Sequence, residues 1–162
     1  MEHATRLDKA AGAALIVEDD PHMRTLLEKM VREFGYERVI GAGSSLEALD
    51  YLEFDRIAVA FVDLCLGAED GGALIWVIRG HKRKPIRSVP ILVVSKIATE
   101  TRIRDAMKAG ADGFIAKPFS MASFHRQVSM ALMKRNTPLA PEANRLGAGV
   151  PPDVSPEIAE VD

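Results

Sequence analysis

What most constrains this chain is an alternation. Short, almost wholly apolar runs occur at 13–17 (AALIV), 57–62 (IAVAFV), 91–94 (ILVV) and 113–116 (GFIA), with a weaker one at 38–42 (RVIGA). Runs this short, rich in β-branched side chains and apolar on both faces, suit strands buried inside a parallel sheet. The stretches between them carry apolar residues at the three-and-four spacing of a helix face. Met23, Leu26, Leu27, Met30, Val31 and Phe34 mark a first helix, and Leu46, Leu49 and Leu52 a second. Leu74, Val77 and Ile78 mark a third, Ile103, Ala106, Met107 and Gly110 a fourth, and Phe124, Val128, Ala131 and Leu132 a fifth. Strand and helix alternating five times predict a doubly wound α/β sheet with five helices. Right-handed crossovers then bring every strand's carboxyl end to one edge.

Local punctuation agrees with this pattern. Asp20 before Pro21 reads as the first helix's N-cap and first helical position, and Gly35 as its stop. Ser44 with Glu47 reads as a capping box. The pattern ends before 137–162 (TPLAPEANRLGAGVPPDVSPEIAEVD), which is Pro-rich, acidic and almost without aromatic residues. That segment is expected to be a disordered tail too short for a second domain, and 1–11 a flexible arm. Residues 12–136 remain as one folded domain, long enough to bury a core.

Composition removes several classes of function. A net charge of −2 argues against non-specific nucleic-acid binding. Cys65 is the sole cysteine, so neither an internal disulfide nor a thiolate metal site is expected. The four histidines have no ligand spacing, and no long apolar stretch opens the chain. Cytoplasmic placement, with no membrane and no nucleic acid, is the expectation.

The chemistry follows the strands. After the first run come Glu18, Asp19 and Asp20; after the third, Asp63; after the fourth, Ser95; after the fifth, Lys117 and Pro118. In an open parallel sheet these positions converge on the crevice where such folds bind ligands. Gathered carboxylates resist ionising together, and a divalent cation relieves the conflict. Hard oxygen ligands with room for water favour Mg²⁺, a lysine offers charge to a phosphate oxygen, and a hydroxyl offers a hydrogen bond. Such a set suits phosphoryl transfer to or from a carboxylate.

The motifs LIVEDD, FVDLCLGAEDG, ILVVS and GADGFIAKPF, in this order and spacing, resemble the receiver domain of two-component response regulators across roughly residues 12–135. The resemblance implies a flavodoxin-like receiver fold with strand order 2-1-3-4-5. It implies that Asp63 is the phosphoacceptor, that Asp19 ligates the metal directly, and that Glu18 acts through water. The backbone carbonyl of Cys65 would be the remaining protein ligand, and Mn²⁺ could replace Mg²⁺. Ser95 matches the switch hydroxyl, Lys117 the site lysine and Phe114 the switch aromatic, with a cis Lys117–Pro118 bond. The implied role is a single-domain signalling regulator, not an enzyme in its own right. Its phosphodonor would be a sensor histidine kinase or a histidine phosphotransfer protein, and its target another protein. The chain itself would be a monomer or a phosphorylation-dependent homodimer.

Two residues depart from the family pattern. Gly67 stands where proline is common, implying a looser loop after Asp63. Lys96 follows Ser95 where a small residue is usual, bearing on access to the acyl phosphate. The competing readings are a phosphorylation-independent pseudo-receiver, a haloacid-dehalogenase-type phosphatase and a flavin module. The phosphatase needs a second Asp where Cys65 stands, and the flavin module needs a phosphate-cradling loop where three acids stand. Asp20 is read as a cap rather than a ligand, and Cys65 as a bystander thiol. The basic stretch Arg79, His81, Lys82, Arg83, Lys84 and Arg87 is read as a solvated loop. Trp76 is either covered by that loop or offered to a partner.

Overall fold

Apolarity on both faces places the long strands at the centre of the molecule. The computed structural model describes residues 12–136, and the expected arm and tail lie outside the described residues. The strands, in chain order, are β1 Ala13–Val17, β2 Val39–Ala42, β3 Ile57–Val62, β4 Cys65–Leu66, β5 Glu69–Asp70, β6 Ile91–Ser95 and β7 Gly113–Ala116. The helices are α1 Pro21–Phe34, α2 Ser45–Phe54, α3 Gly71–Arg79, α4 Lys84–Arg87, α5 Glu100–Ala109 and α6 Met121–Asn136. Five strands form one parallel sheet in the order β2-β1-β3-β6-β7, which is the expected order once the small β4–β5 hairpin is counted separately.

Side chains alternate across this sheet and build two cores. Leu15, Val17, Ala60, Val62, Ile91 and Val93 face α2, α3 and α5. Ala14, Ile16, Phe61, Leu92, Val94 and Ile115 face α1 and α6. β1 is buried along its whole length, as a central parallel strand with helices on both sides must be. The helix ends follow the local chemistry. Asp20 Oδ1 accepts from His22 N at 2.9 Å, with Pro21 opening α1 and Gly35 closing it at φ 135°. Ser44 Oγ accepts from Glu47 N at 3.2 Å, while the Glu47 carboxylate reaches back to Gly43 N rather than to Ser44 N.

The structure corrects several expectations. The described chain has six helices, not five, because α4 lies within the basic stretch. That stretch is a solvated loop only in part: Lys82, Arg83, Lys84 and Arg87 are exposed, but Arg79 is not. Arg79 donates to the carbonyls of Gly110 (2.9 Å), Arg87 (2.8 Å) and Val89 (2.7 Å) and pairs with Asp112 (3.0 Å). His81 and Arg83 both pair with Glu53. Arg79 thereby fastens the end of α3 to the start of β7, a task that a long donor-rich side chain performs for otherwise unpaired carbonyls. The buried stripe of α3 is Leu74, Ile75 and Ile78, and Val77 is exposed. Leu26 and Leu46 also point outward. Trp76 is 63% exposed and uncovered by the basic stretch.

Candidate functional site

Where the central strands end, the polypeptide must turn, and three of those turns place acids or a lysine beside one another. Glu18 N is held by Ala42 O at 2.9 Å and Asp63 N by Val17 O at 3.0 Å, so sheet pairing itself aligns the β1 and β3 ends. The β7 end is aligned by Lys117 N donating to Ser95 O at 2.8 Å. Lys117 Nζ then lies 2.9 Å from both Glu18 Oε2 and Asp63 Oδ2. Glu18, Asp63 and the Lys117 side chain are all nearly inaccessible to solvent. The second oxygens of the two carboxylates are bound locally: Asp63 Oδ1 accepts from Cys65 N at 2.9 Å, and Glu18 Oε1 from Asp20 N at 3.2 Å.

One lysine between two buried carboxylates leaves the site short of positive charge. Burial, followed by the neighbouring Asp63, pushes the Glu18 carboxyl up to about 7, with Lys117 pulling the other way. For Lys117, burial works against its charge, but hydrogen bonds and attraction from Asp63 and Glu18 prevail and raise its pKa. Asp19 adds a third carboxylate from the exposed side, and Glu18, Asp19 and Asp63 each present an oxygen within 4.8 Å of the others. An all-oxygen set of this charge and spacing, open to water on one side, fits a hard divalent cation such as Mg²⁺. The cleft in front of it is about 260 Å³ and is lined by Glu18, Asp19, Asp20, Met23, Asp63, Cys65, Lys96, Ile97 and Lys117.

A family model for the response regulator receiver domain matches residues 14–129. The chain belongs to the response-regulator receiver family. The receiver is 34% identical over 126 residues to the transcriptional regulatory protein PhoP of Escherichia coli, covering 78% of this chain and 54% of PhoP. It is 28% identical over 120 residues to the transcriptional regulatory protein PdtaR of Mycobacterium tuberculosis, covering 74% of this chain and 56% of PdtaR. The chain thus spans about half the length of these curated relatives. A putative response regulator from Chloroflexus aurantiacus superposes with a TM-score of 0.69 at 29% identity, over 75% of this chain and 98% of that one. The receiver domain of a sensor histidine kinase from Pseudomonas aeruginosa superposes with a TM-score of 0.65 at 28% identity, over 78% of this chain and 99% of that one. That structure holds a magnesium ion coordinated in its active-site cleft.

Within this receiver, Glu18, Asp19, Asp63 and Lys117 come together at the cleft, as their strand-end positions lead one to expect, and Cys65 lines it beside them. Asp20 lines its rim but serves as the α1 cap, and the hydrogen bond from His22 N holds its pKa low. Ser95 is fully buried outside the cleft lining, and its hydroxyl accepts from Ile97 N at 3.2 Å within its own loop. Phe114 is fully buried in the α5-side core, so its ring is already inside the protein. The Lys117–Pro118 bond is cis, as the resemblance implies.

Three features escaped sequence reasoning. The segment after Asp63 is not an open loop; β4 and β5 form a hairpin around Gly67 and Ala68, with Gly67 at φ 60°, which proline could not adopt. Glu69 ties this hairpin to α2 by accepting from Ser45 N at 2.9 Å. Gly71 lets α3 begin against the site, since a Cβ there would lie 2.0 Å from the Asp63 carbonyl oxygen. The remaining feature is Arg24, whose Nη1 donates to Glu18 O at 2.7 Å. Small residues beside a predicted strand end, in GAEDGG and VIGAG, are the only sequence trace of these close approaches.

Proposed function

We propose that this receiver takes a phosphoryl group on Asp63, in a Mg²⁺-dependent reaction, from a sensor histidine kinase or a histidine phosphotransfer protein. It then signals through changed protein contacts. The observation that carries the reading is the Lys117 ammonium, shared at 2.9 Å between Asp63 and Glu18 at the end of an acidic cleft. As an Asp63 oxygen bonds to phosphorus, the bond from phosphorus to the donor's histidine nitrogen breaks, and that nitrogen takes up a proton. Lys117 is in reach to pass from the Asp63 carboxylate to a phosphoryl oxygen, stabilising charge where it builds up. A bound Mg²⁺, held by Asp19, Asp63, the Cys65 carbonyl and, through water, Glu18, would neutralise the phosphoryl oxygens and the crowded carboxylates; Mn²⁺ meets the same oxygen preference. The same proposal sets this reaction in the cytoplasm.

The output surface in this reading is the face of α5, β7 and α6. Ser95 lies under the loop that leads into α5, and its hydroxyl can leave Ile97 N for a phosphoryl oxygen. Phe114 already occupies the interior beside α5, so the response would be a shift in how often that packed arrangement is held. Intact-protein mass spectrometry after incubation with a small phosphodonor should show one added phosphoryl group with Mg²⁺ and none with a chelator. No addition under either condition would leave the pseudo-receiver, which binds partners without phosphorylation, as the better account. Ser95→Ala should still accept the group yet show smaller phosphorylation-dependent amide shifts across α5, β7 and α6. Shifts confined to α3 and Trp76 would move the output face there.

A further inference from the structure

Arg24 belongs to none of the groups that line the cleft, yet its side chain is spent on the residue at the cleft's base. It lies near the start of α1 and runs across the end of β2. The stem passes close over Gly41, where a Cβ would come within 2.9 Å of Arg24 Cδ and push it aside, whereas a Cβ on Gly43 would meet Nη1 only at 3.4 Å. At the end of the path, Nη1 donates to Glu18 O at 2.7 Å. On the other side of the same residue, Glu18 N donates to Ala42 O at 2.9 Å. Both peptide groups flanking Glu18 are therefore pinned, one by the sheet and one by Arg24. The pinned carbonyl belongs to the peptide that leads into Asp19, so its plane sets the directions in which the Glu18 and Asp19 carboxylates leave the backbone.

We infer that Arg24 is a positioning residue for the cation site, acting through the Glu18–Asp19 peptide rather than by touching the ion. The inference rests on the reading of Glu18, Asp19 and Asp63 as the cation site. A guanidinium suits this task because it stays charged, keeps a rigid donor geometry and places a positive charge behind crowded carboxylates. Gly41 serves the same end by leaving the arginine stem room. Partners that orient metal ligands without binding the metal commonly contribute about 10–100-fold in affinity.

The test follows backbone amide shifts of Asp19 and Cys65 against Mg²⁺ concentration in wild type, Arg24→Met, Arg24→Lys and Gly41→Ala, with melting temperatures taken without divalent ions. Arg24→Met keeps the stem and removes the donor, and should bind Mg²⁺ about tenfold more weakly. Arg24→Lys restores a charged donor without the rigid fork and should recover part of the loss. Gly41→Ala, which leaves every proposed ligand intact, should weaken binding by displacing the stem. Wild-type affinity in Arg24→Met, or equal losses in the Met and Lys variants, would overturn the inference. So would a lower melting temperature with unchanged affinity, which marks a merely structural role. If Arg24→Met does not fold, Gly41→Ala decides: weaker binding supports the assignment, and unchanged binding overturns it. A wild-type protein that shows no saturable response defeats the cation-site reading itself, and is distinguishable because every arm then fails alike.

Discussion

The two edges of the sheet each bury an ionic cluster, and the clusters are built on opposite principles. At the amino edge, Arg79 is met by three carbonyls and by Asp112, and Asp112 is met in turn by Arg79, Arg135 and Ile91 N. Burial pulls the Arg79 guanidinium down to about 10 and Asp112 opposes that, so it stays charged at neutral pH. Every nitrogen of the Arg79 guanidinium and both oxygens of Asp112 have a partner, so the network is closed. At the carboxyl edge, Glu18 and Asp63 share one lysine while Asp19 stands beside them. That cluster is short of positive charge and opens on a cleft. The same sheet thus carries a closed polar network that holds the fold and an open one poised for a cation and a phosphoryl group. Saturation of the charges, not their burial, separates the structural cluster from the functional one.

Deleting the acid of the amino-edge cluster should have the largest effect. Asp112→Ala leaves Arg79, with its side chain 16% exposed, without its carboxylate, and should cost about 3–5 kcal/mol of stability in urea unfolding. The fraction that folds should still accept a phosphoryl group. Next in size is a dependence on pH. The folded-state Glu18 pKa is raised from 4.5 to about 7, so the folded protein holds a proton that the unfolded chain has released. Stability without divalent ions should therefore fall as pH rises through that window, and Glu18→Gln should remove this part of the slope. A wild-type slope no steeper than that of Glu18→Gln would contradict the charge shortage.

Smaller effects sharpen the contrast. Lys96 is exposed at the cleft rim, where its side chain can shield the acyl phosphate from water. Lys96→Ala should hasten dephosphorylation by up to tenfold, a barrier change of about 1.4 kcal/mol, measured as decay of the phosphorylated mass. Smallest of all should be the stability change in Asp63→Asn. Losing attraction to Lys117 is offset by losing repulsion from Glu18 and Asp19, so urea unfolding should move by less than about 1 kcal/mol. A loss matching that of Asp112→Ala would erase the distinction between the two edges.

Much of this arrangement was legible because it depends on pattern and topology. The long strands lie where the apolar runs lie, β1, β3 and β7 to the residue, and the carboxyl edge gathers Glu18, Asp63 and Lys117 because parallel order requires it. Features set by tertiary placement were not legible. α4 has four residues and β4 and β5 two each, too short for any periodicity to register. Leu26, Leu46 and Val77 match a helical spacing yet face outward, because spacing locates a stripe only to within a neighbouring position and the sheet decides which stripe is covered. In sequence Arg79 reads as part of a solvated basic stretch, and nothing singles out Arg24. Only the fold shows that Arg79 reaches the carbonyl of Gly110, 31 residues on, and that Arg24 turns back to the carbonyl of Glu18.

The central claim is that the carboxyl-edge cluster carries its phosphoryl group on Asp63. Reductive trapping of the acyl phosphate with borohydride, after phosphodonor treatment in Mg²⁺, followed by peptide mass mapping, tests it most directly. The account predicts a single mark, at Asp63, lost in Asp63→Asn. A mark at Glu18 or Asp19 in the wild type, or one that survives in Asp63→Asn, would contradict it.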